Sequence, residues 1–416
     1  MKKIFKKNSC CRICSNKKLT TIIDLKKQYI QGSFKKKNYP QPIKTKIPLK
    51  LVICRKCSLV QTMHTVSPEV LYKNYWYMSG VNHTMTDHLK KLAMTCKKVL
   101  KNKNKKINIL DIGCNDGTLL KSFPRSFNKV GIDPSQIAKN IKSKNLEILN
   151  DFFPSKNILS KYKNNKFDLI TSIAMFYDVQ NPNQFVSNIK KILNENGVWI
   201  FELSYLVDML DLNSYDTICH EHLEYYSITA LNYLMKKNGM KIFKIKSNQI
   251  NGGSIRCYVT HLSSFNYGNK SDLLIIERYL KKEKKIKIST LIPYKKFFNR
   301  ILKIKLKLNK LIKEILNDNK VIHIYGASTK GNTIIQWQGI NDKFIKYAAD
   351  RNSQKWGAKT IGSNISIISE EESKKMKPDY YLILPWHFKK EFLIREKKFL
   401  KNGGKMIFPL PKLKIY

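Results

Sequence analysis

Ile107-Asn-Ile-Leu-Asp111-Ile-Gly113-Cys-Asn115-Asp116-Gly117 is an apolar run that ends in an acidic, glycine-bearing turn. Glycine has no Cβ, so a turn built on Gly113 and Gly117 lets the backbone pass close beneath a bound ligand. Outward from this turn, short apolar runs alternate with segments long enough for crossover helices: Lys129–Ile132, Leu146–Leu149, Phe167–Ile173 and Val198–Leu203. The alternation predicts a parallel, doubly wound α/β sheet. Before it, Met85, Leu89, Leu92 and Val99 recur at helical spacing between Val81 and Leu100.

The turn carries chemistry through its acids. Twenty residues after Gly113, Asp133 ends the next run in Val130-Gly-Ile-Asp-Pro, where a carboxylate can accept both hydroxyls of a ribose. Asp151 and Phe152 end the third run, an acid and an aromatic ring placed for the amine and the face of an adenine. The dinucleotide pattern Gly-x-Gly-x-x-Gly is absent from this turn, which argues against NAD. Asp111, Gly113, Asn115, Asp116, Gly117, Asp133, Asp151 and Phe152 are the expected S-adenosylmethionine-binding residues.

At 416 residues the chain exceeds a single hydrophobic core, so two or three domains are expected. Hydrophobic residues make up 42% and aromatic residues 11%, enough to build packed cores and to argue against intrinsic disorder. No signal-peptide pattern and no apolar run long enough to cross a bilayer stands out, so the expected location is the cytoplasm. The net charge of +48 points at face value to a polyanionic partner. The lysines are spread along the whole chain with abundant Asn and Ile, however, as a compositional bias would spread them. A nucleic-acid partner is therefore not the expectation, although a nucleic-acid methyltransferase is one rival reading.

In a reducing compartment nine cysteines are read for metal binding or packing. Cys11-x-x-Cys14 and Cys54-x-x-Cys57 form two knuckles 39 residues apart, the four soft ligands of a tetrahedral Zn²⁺. Four thiolates close the coordination sphere, so the metal is expected to be structural. Cys10 and Cys96 are left outside the site. Pro40, Pro42 and Pro48 break any helix here, and residues 1–70 read as a small separate zinc-binding module.

The first α/β unit is expected over 71–265. Residues 266–319 are very lysine-rich and interrupted by Pro293, but Ile and Leu keep helical spacing over Phe298–Ile315, so a connecting helical arm is expected. A second α/β pattern over 320–416 runs through Val321–Tyr325, Phe344–Ala349, Tyr380–Leu384, a helix from His387 to Leu400, and Met406–Phe408. Its turn, Gly326-Ala-Ser-Thr-Lys330-Gly331, with Asp350 ending the next run, imitates a degenerate dinucleotide site. A NAD-binding oxidoreductive protein is the second rival reading.

Tyr215-Asp-Thr-Ile-Cys-His220-Glu221-His222-Leu-Glu-Tyr-Tyr226-Ser is dense in groups that move protons. With the two knuckles, the Asp111–Gly117 turn, Asn251-Gly-Gly-Ser254 and the Tyr325–Gly331 turn, it gives nearly the whole chain an order of motifs that resembles the sugar C-methyltransferases acting on nucleotide-linked deoxysugars. The resemblance implies a zinc module, a Rossmann-like class I methyltransferase domain and a C-terminal Rossmann-like domain that closes over the substrate. It implies His222 as general base, Glu221 as the residue that orients it or the substrate, and His220 and Tyr77 beside them. Asn251 and Lys330 are the expected substrate-binding residues, Lys330 for a diphosphate at a helix N-terminus. The segment departs from the family at Cys219, where a tyrosine is usual, and at Ala174-Met-Phe-Tyr177-Asp178, where Ala-His is usual. Both departures fall on the acceptor side.

Overall fold

The structure, a computed structural model, describes residues 4–72, 76, 78–81, 83–100 and 106–416, and of Asn251 the backbone alone. Before position 67 the chain forms strands β1 (Phe5–Lys7), β2 (Leu19–Gln28), β3 (Phe34–Lys35), β4 (Ile47–Cys54), β5 (Val60–Thr62) and β6 (His64–Val66), with β-branched residues in β2, β4, β5 and β6. β2, β4 and β5 pair antiparallel, and β1 pairs with β6.

The runs around the acidic turn become β7 (Asn108–Ile112), β8 (Asn128–Ile132), β9 (Glu147–Leu149), β10 (Phe167–Ile173) and β11 (Leu193–Ser204). They are followed by β12 (Glu224–Tyr225), β13 (Met240–Asn248) and β14 (Ser254–His261). β7 is buried on both faces, as a parallel strand between helical layers must be. The sheet order is β13-β14-β11-β10-β7-β8-β9, with β9 to β11 parallel and β14 antiparallel to both neighbours. Met85, Leu89 and Leu92 of the helix His83–Val99 pack on Ile109, Leu169 and Ile200 on one face. Phe185, Val186 and Ile189 of the helix Pro182–Ile192 pack with Leu110, Ile170 and Trp199 on the other. β11 begins at Leu193, ahead of the expected Val198.

The last strands are β15 (Ile322–Tyr325), β16 (Tyr347–Ala349), β17 (Lys359–Thr360), β18 (Ser366–Ile368), β19 (Tyr380–Ile383), β20 (Lys405–Phe408) and β21 (Lys414–Ile415). Parallel β20-β19-β15-β16-β18 repeats the fifth-fourth-first-second-third order of β11-β10-β7-β8-β9 in the central sheet. The helix expected over His387–Leu400 is instead a 3₁₀ turn, Trp386–Phe388, and two short helices, Lys389–Arg395 and Lys397–Lys401.

Two expected units are redrawn. The zinc module is not separate: β3 extends the C-terminal sheet by pairing with β17, and β12 of the central domain pairs with β5 of the module. The lysine-rich arm is not a free connector. Its helices, Lys270–Lys285 and Ile292–Asn317, bury Ile276 and Glu283, then Tyr294, Phe297, Ile301, Leu308 and Ile312. Pro293 opens the second helix rather than interrupting it, since the first turn has no use for its missing N–H. Among the described residues no helix is long and apolar enough to cross a membrane.

Candidate active site

At the end of β7 the chain turns through Gly113 (φ 75°), Asn115 (φ 53°) and Gly117 (φ 74°) into the helix Thr118–Lys121. The left-handed backbone at the two glycines is what their sequence positions demanded. The loop is held by acids. Asp133 Oδ2 accepts the Asn115 amide (2.9 Å), and its Oδ1 accepts the Ser135 amide (2.8 Å). Asp116 accepts the amides of Gly80 (2.6 Å) and Thr118 (3.1 Å), and Asn115 Oδ1 accepts that of Ser79 (2.9 Å). Asp111 is buried, takes the Thr171 hydroxyl at 2.7 Å, and has its acidity weakened, pKa pushed up to about 7, by burial. Asp151 and Phe152 are half-buried after β9, with Asp151 Oδ1 accepting the Phe152 amide (2.7 Å). A loop rimmed by Asp111, Asp116 and Asp133 suits a ligand that carries positive charge, as a sulfonium with an amino-acid ammonium does.

The His-Glu-His segment lies where the three parts of the chain meet. His222 Nδ1 is 2.7 Å from the Thr217 carbonyl, and its half-buried ring meets the Tyr177 ring edge-on at 4.4 Å. Burial pushes its pKa down to about 3, the Lys330 ammonium adds to that, and the Thr217 carbonyl opposes it. Lys330 comes from the helix Thr329–Gln338 of the C-terminal domain, which docks through Thr333 Oγ1 to the Ile218 carbonyl (3.0 Å). Burial lowers the Lys330 pKa and the carboxylate of Asp216 opposes this. Asp216, itself buried, accepts the Trp386 indole N–H (2.9 Å). Glu221 is buried, and burial raises its pKa. One oxygen accepts the Gly32 amide (2.6 Å), and Tyr72 donates to its carbonyl (3.0 Å).

His220 is a correction. Its ring nitrogens face Gln31 Oε1 (2.8 Å) and the Ile47 carbonyl (3.2 Å), both in the zinc module, and the ring is closed to solvent. It ties the segment to the module and has no nitrogen left for a reactant. Tyr77 and the side chain of Asn251 lie outside the described residues; the Asn251 backbone forms part of the 3₁₀ turn Ile250–Gly252.

The Cys11, Cys14, Cys54 and Cys57 sulfurs all lie within 4.8 Å of one another, with Cys11–Cys57 and Cys14–Cys54 at 3.4 Å. Tetrahedral bonds of about 2.3 Å need sulfurs roughly 3.8 Å apart, so the donor set fits Zn²⁺.

Residues 81–245 match the family described as a methyltransferase domain, residues 249–411 the C-methyltransferase C-terminal domain, and residues 11–72 a zinc binding domain. The chain carries these three domains in order and is an S-adenosylmethionine-dependent methyltransferase. Along 97% of its length it is 25% identical to the C-methyltransferase NovU of Streptomyces niveus, covering 96% of that protein. It is 26% identical over 186 residues to a ubiquinone biosynthesis O-methyltransferase of Pelagibacter ubique, 40% of this chain and 75% of that one. A solved S-adenosylmethionine-dependent methyltransferase of Clostridium acetobutylicum overlaps 42% of this chain and 90% of its own, at 14% identity and a TM-score of 0.32.

In this C-methyltransferase the C-terminal turn copies the cofactor turn. Asp350 accepts the Ala327 and Asn352 amides at 2.8 Å each, as Asp133 accepts those of Asn115 and Ser135. Here Lys355 sits on the turn, its ammonium 2.7 Å from the Ala327 carbonyl and 3.4 Å from Asp350. A nucleotide in that position would have to displace it. Sequence reading missed Gln31, Gly32, Tyr72, Thr217 and Asp216. No local pattern marks them, because their partners are remote in the chain or, for Thr217, a backbone carbonyl.

Proposed function

We propose that this C-methyltransferase moves the methyl group of S-adenosylmethionine to a carbon of a nucleotide-linked keto sugar or a related metabolite, with His222 as the base. One observation carries the reading: Nδ1 of His222 is committed to the Thr217 carbonyl, so Nδ1 holds the proton and Nε2 keeps a basic lone pair. Nε2 takes a proton from the carbon beside the ketone, and the C–H electron pair moves onto the carbonyl oxygen. Lys330 puts a cation beside His222, within the electrostatic reach of an anionic group of the acceptor. The bound cofactor supplies an electrophilic methyl group, which the loop of Asp111, Asn115, Asp116 and Asp133 would hold. Asp151 and Phe152 stand where an adenine would meet an acid and a ring.

The test begins with calorimetry of S-adenosylmethionine on the zinc-loaded chain and on Asp133→Ala. It continues with a panel of nucleoside-diphosphate-linked keto-deoxyhexoses, the position of a ¹³C methyl label in the product being read by NMR. Label on carbon, lost in His222→Ala while cofactor binding persists, supports the reading. Label on oxygen or nitrogen, or full activity in His222→Ala, refutes it.

A further inference from the structure

We propose that the Gln31–Gly32 turn of the zinc module is a positioning element of the reaction site, setting the carboxylate of Glu221 through the Gly32 amide. The inference rests on the reading of Glu221 and His222 as that site.

Gly32 N–H donates to Glu221 Oε1 at 2.6 Å, while Oε2 of the same buried carboxyl makes no hydrogen bond among the described residues. The Cys219 thiol, a weak donor, is near the carboxyl. The turn thus fixes one oxygen, while the other is closed to solvent with no conventional donor beside the weak Cys219 thiol, so the Gly32 amide is the main hold on the carboxyl. A Cβ at position 32 would lie 2.5 Å from Glu221 Oε1, so a larger residue there must push that carboxylate aside.

The preceding residue fastens the turn from three sides. Gln31 Oε1 accepts the His220 amide (3.1 Å) and lies 2.8 Å from its ring, and Gln31 Nε2 donates to Gln28 Oε1 (2.9 Å). The Gln31 carbonyl accepts Asn332 Nδ2 (2.7 Å) from the helix that carries Lys330. Residues 31 and 32 therefore fix both His220 and Glu221, immediately before His222, and register them against the C-terminal domain. A merely structural turn would need the Gln31 contacts but not a backbone donor aimed at the Glu221 carboxyl.

The test uses the full-length, zinc-loaded chain and labelled methyl transfer to a nucleoside-diphosphate-linked 4-keto-6-deoxyhexose. Gly32→Ala, Glu221→Gln, the double variant and His222→Gln are compared. Gly32→Ala is expected to lower kcat about 10- to 100-fold, the scale of an ångström's misplacement, with zinc content and S-adenosylmethionine affinity kept. In the Glu221→Gln background the same substitution should change kcat less than about twofold, because the residue it acts through is gone. Gln31→Ala, which removes bulk instead of adding it, should also lower kcat with zinc and cofactor binding kept, and it decides the matter should Gly32→Ala fail to fold. Losses that multiply in the double variant, or wild-type kcat in Gly32→Ala or Gln31→Ala, overturn the inference. Full activity in His222→Gln, or no transfer to the sugar by the wild-type chain, removes the reaction-site reading and this inference with it.

Discussion

His222 and His220 show how one segment divides its work between neighbours. With its pKa pushed down to about 3, His222 stays a neutral base well below the ordinary histidine range. The acid limb of kcat/KM is therefore expected below about pH 5 rather than near 6.5; an acid limb that stays near 6.5 would contradict a buried base. Burial pushes His220 down to about 4. The unfolded chain binds that proton first, so the contribution to stability is complete above about pH 6.5 and is lost as pH falls toward 4. The loss comes to about 3 kcal/mol, and thermal midpoints across that range should flatten in His220→Gln. Asp133→Ala should weaken S-adenosylmethionine binding at least about tenfold by calorimetry, since the side chain holds two loop amides and is the proposed acceptor for the ribose hydroxyls. The turn that Asp111, Asp116 and Asp133 hold was legible because its spacing is local. The partners of His222 and Glu221 were not: Gly32 lies 189 residues from Glu221 and nothing near either announces the other.

Among the elements, the lysine-rich segment is helical as its spacing predicted, and it packs closely as well: Glu283 is fully buried and accepts the Ile228 amide (2.7 Å), the Thr229 amide (2.8 Å) and hydroxyl (2.6 Å) and the Tyr205 hydroxyl (2.7 Å). An acid from one helix thus caps the first turn of another, Ile228–Lys237, where free amides and the helix dipole both favour a carboxylate. Glu283→Ala should cost about 3 kcal/mol, seen as a lower thermal midpoint with cofactor affinity unchanged. Helical periodicity found the helix Ile292–Asn317, and period alone could not say what its apolar face covers. Strands β7 to β11, β15, β16, β19 and β20 were readable within about five residues because parallel strands between helical layers leave continuous apolar runs, whereas β13, β14, β17, β18 and β21 were not read.

For the molecule as a whole, the three units anticipated from motif order are present but interleaved. Arg12, on the first zinc knuckle, reaches Glu224 of the central domain at 3.3 Å, both side chains almost wholly buried. Removing one partner alone strands a buried charge, so Glu224→Gln should cost about 3–5 kcal/mol in unfolding experiments. Chelation of zinc should propagate likewise: hydrogen exchange should quicken over residues 215–226 as well as 11–57, because β12 completes the module's sheet. Exchange confined to the module would contradict the interleaving. Motif order revealed the number of parts and their sequence, whereas their stitching depends on two-residue strands too short to carry a pattern of their own.

The pairing of β3 with β17 also bears on how a growing polypeptide acquires its shape. The contacts of Tyr29 with Gln336 and of Gln31 with Asn332 span 307 and 301 residues. Domains emerging from a ribosome settle in order from the N-terminus. Here β3 must wait with an open edge until residues 359–360 have left the exit tunnel. Completion of the proposed reaction site thereby waits on segments made long after its zinc-module wall.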